Sequence, residues 1–309
     1  MRVKKGKGGG AMENKTNTGL PGGLLILLAG VFWGSMGIFT RPLNAFGFSS
    51  LHLVFLRLGL GAAVFALLLL ARGREGLRIR ARDIPLFLGL GLVSVLFFTF
   101  CYFRAIELLP LSTAAILLYT SPIWVMLMSA LFFRERITAR KLLALVLAFA
   151  GCVLVSGVSR GQSAGSGLLF GLGAGFGYAL YSILGTVALR RYRPMTVTFY
   201  TFLIAAAGSL LLCDRPALLN ALAAVKDASM LWLIPVAAVV TAVVPYLAYT
   251  KGLQTTEASR AAILATVEPV VATVLGALVY RERLSLPAFL GILSVLAAIV
   301  LLNVKGKQE

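Results

Sequence analysis

Ten apolar stretches, separated by short polar clusters, constrain what this chain can fold into. Most are close to the roughly 20 residues that an α-helix needs to cross a hydrocarbon core about 30 Å thick. Charged residues are only 13% of the 309, too few for the surface of a soluble domain of this length. The stretches are apolar throughout, whereas the strands of a barrel would alternate, so the pattern predicts an all-α integral membrane protein with ten transmembrane helices. The predicted spans are 22–40, 50–71, 84–103, 113–133, 142–158, 168–188, 196–213, 230–250, 262–280 and 286–304.

The basic residues predict the orientation of these helices. The net charge is +18, and if the N-terminus is cytoplasmic, 21 of the 29 Lys and Arg lie on the cytoplasmic side and 7 on the other, with Arg57 inside a helix. This bias follows the positive-inside rule and predicts a cell-membrane protein with both termini in the cytoplasm. The tails 1–21 and 305–309 are expected to be cytoplasmic, the first of them disordered, and Met12 is an alternative start. No aromatic-interleaved basic patch is present, so nucleic acid is not an expected partner.

An internal repeat divides the chain into two halves. Residues 102–155 align without gaps onto 249–302, and Phe32 and Phe55 align more weakly with Phe176 and Phe199. The two segments 22–158 and 168–304 are therefore predicted to be repeats of five helices each. An odd number of crossings makes the second repeat enter the membrane from the opposite side, the inverted design in which transporters place a site near the midplane. The matched features are Ser112–Leu117 with Ser259–Leu264, Pro122 with Pro269, and Arg134-Glu135-Arg136 with Arg281-Glu282-Arg283.

Several motifs resemble those of the EamA-type transporters of the drug/metabolite transporter superfamily, over essentially all of 22–304. They are Phe32-Trp33-Gly34, Arg57, Tyr119-Thr120-Ser121-Pro122 with Glu135, and Glu268-Pro269 with Glu282. The resemblance implies a ten-helix bundle with a central cavity that moves small metabolites, often by export, with amino acids and related organic solutes as common cargo. Arg134 and Arg281 replace a small residue of the family pattern, and we expect only a local effect on the loop.

Glu268 is the most informative single side chain. A carboxylate at membrane depth costs about 2.5–3.5 kcal/mol on insertion scales, so it should face protein or water. Ala261, Ala265, Ala272 and Gly276 follow its face of the helix and favour close packing or a cavity wall. Glu268 is therefore a candidate substrate or proton site. The alternative is a structural carboxylate that pairs with a neighbouring helix.

Pro122 and Pro269 are predicted hinges. Each removes a backbone donor from the middle of a membrane helix, at matched positions of the two halves. Matched interruptions indicate where a transporter's binding site lies. The alternative is that these are ordinary membrane-helix prolines that bind nothing.

Arg57 lies inside the second predicted helix and needs a partner. It is a candidate for binding a substrate carboxylate or an acidic side chain, and the alternative is that it extends to the lipid headgroups. His52, nearer the helix end, is interpreted as an interfacial residue. Glu135 and Glu282 lie between arginines at helix ends, where local ion pairing or capping is expected.

Polar and aromatic side chains at membrane depth are further candidates for a cavity wall. Tyr178, Tyr181 and Ser182 share one face of the sixth helix with Gly171, Ala174 and Gly175. Tyr102 aligns with Tyr249 in the repeat, Trp33 lies in the first helix, and Ser121 precedes the hinge proline. The alternative for each aromatic residue is helix packing or an interfacial belt.

These observations predict a secondary transporter, more specifically an exporter, of a small metabolite such as an amino acid, working by alternating access. Its partners are a small-molecule substrate and the lipid bilayer. Because no ATP-binding motif is present, the energy must come from the substrate gradient or a coupled ion, with protons as a candidate. One histidine and three scattered cysteines predict neither a metal site nor a cofactor. A membrane-embedded enzyme lacks a catalytic constellation, so an enzyme is not expected, and a non-transporting sensor or scaffold is the other alternative. The oligomeric state is left open.

Overall fold

A computed structural model describes residues 20–157, 165–225 and 228–303. Ten helices in this part of the chain are long and apolar enough to cross a membrane, which confirms the predicted all-α class. Both predicted tails lie outside the described residues, apart from Leu20 and Pro21. In chain order the helices are α1 Gly22–Ala45, α2 Ser50–Ala71, α3 Ala81–Leu108, α4 Leu111–Phe133, α5 Ala139–Ser156, α6 Gly165–Leu189, α7 Pro194–Leu212, α8 Trp232–Gly252, α9 Ala258–Tyr280 and α10 Leu286–Asn303.

Some helices extend beyond their predicted ends, because hydropathy falls at the first polar residue whereas a helix continues while its polar groups have partners. The third span, predicted to end at 103, continues to Leu108, and Arg104 pairs with Glu107 at 2.5 Å one turn later. The ninth span, predicted from 262, begins at Ala258. A short helix at Arg215–Ala224, which the prediction lacked, connects α7 to α8.

The outer surface of the bundle is apolar. Leu131, Leu211, Trp232 and Leu278 are each more than 70% exposed. Side chains of this size, spread over α4, α7, α8 and α9, fit contact with lipid rather than with water. The bundle thus has the surface expected of a multi-pass membrane protein.

The helix pairs show how the two halves are related. α5 packs on α10, α2 on α7, α3 on α6 and α1 on α8, and parts of α4 and α9 meet. Exchanging each helix of the first half for its equivalent in the second reproduces the same set of pairs. This pseudo-two-fold relation, with five crossings in each half, is that of inverted repeats.

Matching irregularities of the backbone support the same relation. Arg134 and Arg281 are both left-handed, with φ of 56° and 54°, at the ends of α4 and α9. The next amide in each case, of Glu135 or Glu282, donates to a carbonyl of the preceding turn. α3 and α8 are π-helical over Gly89–Phe97 and Val239–Val243, which overlap when the spacing of the alignment is continued toward the N-terminus.

Both α4 and α9 are broken near the predicted hinges. α4 consists of α4a, Leu111–Leu118, and α4b, Ser121–Phe133. α9 consists of α9a, Ala258–Ala265, and α9b, Val267–Tyr280. Pro122 and Pro269 lie in the first turns of α4b and α9b, where a missing backbone donor costs nothing. The prolines therefore begin new helical segments after the breaks.

The α5–α10 pair is held very closely. A Cβ on Gly151 would lie 2.8 Å from the carbonyl oxygen of Gly291, and one on Gly291 would lie 2.7 Å from that of Gly151. Ser294 Oγ also donates across the pair to the carbonyl of Leu147, at 2.7 Å. Only glycine permits backbones to approach so closely.

Predictions for three sites differ from the structure. His52 is only 2% exposed, and its ring bonds the amide of Ser49 and the carbonyl of Asp214, so at this helix end it faces protein and not lipid. Ala272 is exposed, although the other small residues on its predicted face are buried, because the break in α9 shifts that face. Glu282 pairs with the distant Arg41 instead of the neighbouring arginines, since the left-handed residue before it reverses the chain. Glu135 has the expected local ion pair, with Lys141 at 3.7 Å, but the helix that it caps is α9, in the other half.

Candidate functional site

A small cavity lies between the two halves, at the level of the breaks in α4 and α9. Its volume is about 20 Å³, enough for about one water molecule. The centre of the protein is therefore closed in this conformation. The walls are Trp33, Ser94, Ser121, Val125, Tyr178, Ala179, Tyr181, Ser182, Tyr246, Tyr249, Ala262 and Ala265.

The breaks place one polar residue of each half at equivalent positions. Ser121 is the first residue of α4b, and Glu268, its equivalent in the alignment, is the second residue of α9b. A carboxylate in the first turn of a helix is stabilised by the positive end of the helix dipole and by free amides. The fold therefore offers Glu268 a favourable position at membrane depth.

Glu268 lies beside the cavity and is partly buried. The hydroxyl of Tyr178, a cavity wall, donates to its Oε2 at 3.3 Å. Arg57 on α2 is among the charged groups near enough to influence this carboxylate, without an ion pair between them in the part of the chain that the structure describes. An acidic and a basic side chain thus come from opposite halves to the same central region.

Arg57 points into the protein, toward α8, and not toward the lipid headgroups. Its Nη2 donates to the carbonyl of Thr241 at 2.9 Å, and its Nη1 lies 2.8 Å from the sulfur of Met36. Thr241 lies in the π-helical part of α8, where the ladder of backbone bonds is altered. The buried Nε of Arg57 has no hydrogen-bond partner in the part of the chain that the structure describes. The guanidinium therefore has donor capacity left for a ligand.

Aromatic rings form most of the remaining wall. Trp33 lies 5.3 Å from the rings of both Tyr246 and Tyr249 and 6.4 Å from Tyr178, measured between centroids. Hydroxyl pairs at 2.7 Å join Ser182 to Tyr249 and Tyr181 to Thr250. Such a wall presents apolar faces and hydroxyl groups to the same space.

Most of the predicted residues are brought together. Trp33, Ser121, Tyr178, Tyr181, Ser182 and Tyr249 line the cavity, and Glu268 reaches it through Tyr178. Arg57 is not among the walls and bonds Met36 and Thr241 instead. Tyr102 is not among the walls, and its ring stacks on Phe98 at 6.2 Å. Its equivalent Tyr249 is a wall residue, so the cavity does not follow the symmetry of the repeat.

Two wall residues with polar side chains, Ser94 and Tyr246, were not predicted from the sequence. Tyr246 lies one turn before Tyr249 on α8, so the i, i+3 spacing was the signal that would have found it. Ser94 donates to the carbonyl of Leu90 within α3. A single serine in an apolar run is more often a packing residue and gave no such signal.

Gly34 lets α1 pack against the break in α9. A Cβ on Gly34 would lie 2.5 Å from the carbonyl oxygen of Glu268 and 2.7 Å from Cβ of Val271, whereas one on Gly37 would meet nothing within 4 Å. We expect Gly34→Ala to destabilise the protein by about 1–3 kcal/mol, as overpacking does. Gly37→Ala is the control and should be neutral or slightly stabilising. The melting temperatures of the two variants in detergent check this, and equal values would contradict it.

The fold and the central cavity define a class of protein, a polytopic membrane protein with inverted repeats around a candidate binding site. The family model of the EamA-like transporters matches residues 20–157 and 165–304. The chain belongs to the EamA-like transporter family. It is a membrane transporter, as the resemblance in its motifs predicted.

Individual relatives agree with this assignment. An uncharacterized transporter of Archaeoglobus fulgidus is 30% identical over 281 residues, which cover 89% of this chain and 94% of the relative. An uncharacterized inner membrane transporter of Salmonella typhimurium is 25% identical over 294 residues, covering 93% and 97%. A pseudopaline exporter of Pseudomonas aeruginosa is 31% identical over 134 residues, covering 43% and 45%. A crystal structure with a TM-score of 0.77 and 19% identity covers 91% of this chain and 96% of its own, and it shows the same fold.

Proposed function

We propose that this transporter exports a small zwitterionic metabolite, such as an amino acid, by alternating access. The observation that carries the proposal is that a basic side chain, Arg57, and an acidic one, Glu268, come from opposite halves to one aromatic-lined central region. A guanidinium binds a carboxylate through parallel N–H donors, and the Nε of Arg57 is available for such a bond. The carboxylate of Glu268 and the faces of Trp33 and the tyrosines suit an ammonium group.

The substrate enters this site only after the halves move. A cavity of about 20 Å³ is far smaller than an amino acid, so opening must enlarge it. The breaks in α4 and α9 are where the backbone bends, with Pro122 and Pro269 as the hinges. Glu268, at the same level, serves as the proton site that couples transport to a pH gradient.

The direction of transport and the orientation in the membrane are supported by two separate observations. One relative is named an exporter, and the positive-inside bias of the loops favours cytoplasmic termini. We expect a fusion of green fluorescent protein after Asn303 to fluoresce and a fusion of alkaline phosphatase there to be inactive. A phosphatase fusion at Phe46, in the loop between α1 and α2, is the control and should be active. The reverse pattern would overturn the orientation.

Counterflow in proteoliposomes tests the substrate class. Vesicles loaded with unlabelled amino acids should accumulate labelled amino acid, whereas vesicles loaded with the corresponding decarboxylated amines or with sugars should not. Inside-out membrane vesicles should take the substrate up, as expected for export. Exchange of sugars but not of amino acids would refute the zwitterion proposal.

A further inference from the structure

Glu135, at the end of α4, holds the start of α9a across the two halves. Its Oε1 accepts from the amide of Ala258 at 3.0 Å, and its Oε2 accepts from the amide of Ser259 at 3.4 Å and from the hydroxyl of Ser259. Lys141 lies 3.7 Å from Glu135 and forms an ion pair with Glu257 at 2.6 Å. A carboxylate on free amides at a helix N-terminus is a charge-assisted cap. The first half thereby caps a broken helix of the second.

The equivalent residues of the other half are arranged differently. In the repeat, Glu282 corresponds to Glu135, and Leu111 and Ser112 correspond to Ala258 and Ser259. Glu282 forms an ion pair with Arg41 at 2.7 Å instead. Its side chain is 50% exposed, against 11% for that of Glu135. At one end of the molecule Glu135 caps α9a, and at the other end Glu282 pairs with Arg41 and caps no helix of the part that the structure describes.

Helix packing shows the same asymmetry. α9a packs against α4b, whereas among the described residues the equivalent segments α4a and α9b make almost no contact. The Nε of Arg140 donates to the carbonyl of Leu301 at 2.5 Å. At the equivalent pair, Pro287 and Leu154, the structure has instead a cavity of about 550 Å³ that Glu282 also lines. The end with Glu135 is thus closed and the end with Glu282 is comparatively open.

We propose that Glu135 and Glu282 are reciprocal gate residues. In the conformation described, Glu135 caps α9a and closes one end, which is the cytoplasmic end if the charge bias gives the orientation. In the opposite conformation Glu135 leaves α9a, and Glu282 leaves Arg41 to cap α4a at the amides of Leu111 and Ser112. The proposal rests on alternating access, because it assigns each closed state of the transport cycle its own carboxylate.

The inverted repeat is the reason to expect the exchange. Two halves of the same design can adopt each other's conformation, and the state produced by exchanging them closes the end that is now open. Each cap binds amides of the first turn of a short helix, which have no partner within that helix, so each closed end gains comparable stabilisation. The cap that forms therefore decides which side of the cavity is sealed.

A cysteine reporter on α9a measures the gate directly. Ala262 lines the central cavity one turn from Ser259 and is the position for the reporter. The native cysteines are buried, so labelling of the parent protein measures the background reaction of Cys101, Cys152 and Cys213. In inside-out vesicles a membrane-impermeant maleimide should label Ala262→Cys at least about tenfold faster when Glu135→Gln is added. A factor of ten corresponds to about 1.4 kcal/mol, just below the smallest contribution expected of one hydrogen bond to a charged group. Glu282→Gln should slow the labelling, because it weakens the state open to the cytoplasm.

The double variant separates a gate from structural damage. If the two caps oppose each other, Glu135→Gln and Glu282→Gln together should return the labelling rate toward that of the parent. Glu107→Gln is the matched control, because Glu107 pairs with Arg104 on the same helix turn, far in sequence from both gate residues, and it should change nothing. Effects of the same sign for the two single variants, or effects that accumulate in the double variant, would overturn the proposal.

If the glutamine variants fold poorly, cross-linking tests the proposed contact of Glu282 with the start of α4a. The pair Glu135→Cys and Ser259→Cys should be joined by a short bis-methanethiosulfonate, as the contact described predicts. The pair Glu282→Cys and Ser112→Cys should also be joined, since the opposite conformation brings these residues equally close. Cross-linking of the first pair alone would refute the exchange. Neither assay needs a substrate or a pH gradient, so a failure to transport amino acids would leave this test intact.

Discussion

Glu268→Gln is expected to abolish the response of transport to a pH gradient. Glutamine keeps the shape of the side chain and can still accept from Tyr178, but it cannot release and bind a proton. A proton-coupled carrier then becomes an exchanger, so counterflow continues while uptake driven by a pH gradient falls to the background. Flux into proteoliposomes at equal and at unequal pH across the membrane measures both.

Two further variants show whether Glu268 acts as a proton site or only as a structural carboxylate. Tyr178→Phe removes the hydroxyl that donates to Glu268 Oε2 and should change the pH dependence without abolishing coupling. Glu107→Gln removes an exposed carboxylate and should leave coupling unchanged. A Glu268→Gln protein that still concentrates substrate on a pH gradient would exclude the proton role. One that loses counterflow as well would favour the structural role.

Arg57→Gln is expected to reduce transport of substrates that carry a carboxylate by about 100-fold. Each hydrogen bond to a charged group contributes about 1.5–3 kcal/mol, and a factor of 100 corresponds to about 2.7 kcal/mol. Arg57→Lys keeps the charge but loses the planar fork, so it should recover only part of the activity. Inhibition of transport by an amino acid and by its decarboxylated amine is measured on each variant. It separates loss of carboxylate binding from a structural effect of the substitution.

The difference between competition by the amino acid and competition by its decarboxylated amine shows what Arg57 binds. If Arg57 binds the substrate carboxylate, only competition by the amino acid weakens in the variants. Equal weakening for both compounds would show that Arg57 acts by holding α2 to α8 through Thr241. In that case the lysine variant should also fold less stably than the parent.

The membrane architecture was predictable because the forces that set it are local. Each apolar stretch is long enough to cross a bilayer by itself, and α2, predicted as 50–71, has those ends in the structure. The repeat was readable since Pro122 and Pro269, or Arg134 and Arg281, keep their spacing. Six of the predicted site residues meet at one cavity because polar groups in a membrane helix must turn toward the protein.

Contacts between distant segments were not predictable in the same way. Nothing in the residues around His52 shows that Asp214 offers it a carbonyl, and nothing around Glu135 shows that α9a begins beside it. Tyr102 and Tyr249 are equivalent in sequence, yet only Tyr249 lines the cavity, because one conformation of a transporter breaks the symmetry of its repeat. A single sequence describes both halves but not the state in which they are found.

The glycines of α5, α6 and α10 limit how two copies of this chain associate. Gly151 and Gly291 lie against each other's carbonyls, and Gly171 and Gly175 lie against α4a. The surfaces that let membrane helices approach most closely are thus used within one chain. A dimer would have to form through faces such as that of Leu211, where lipid chains compete as well as a second protein does. We therefore expect contacts between copies to be weaker than those between the two halves.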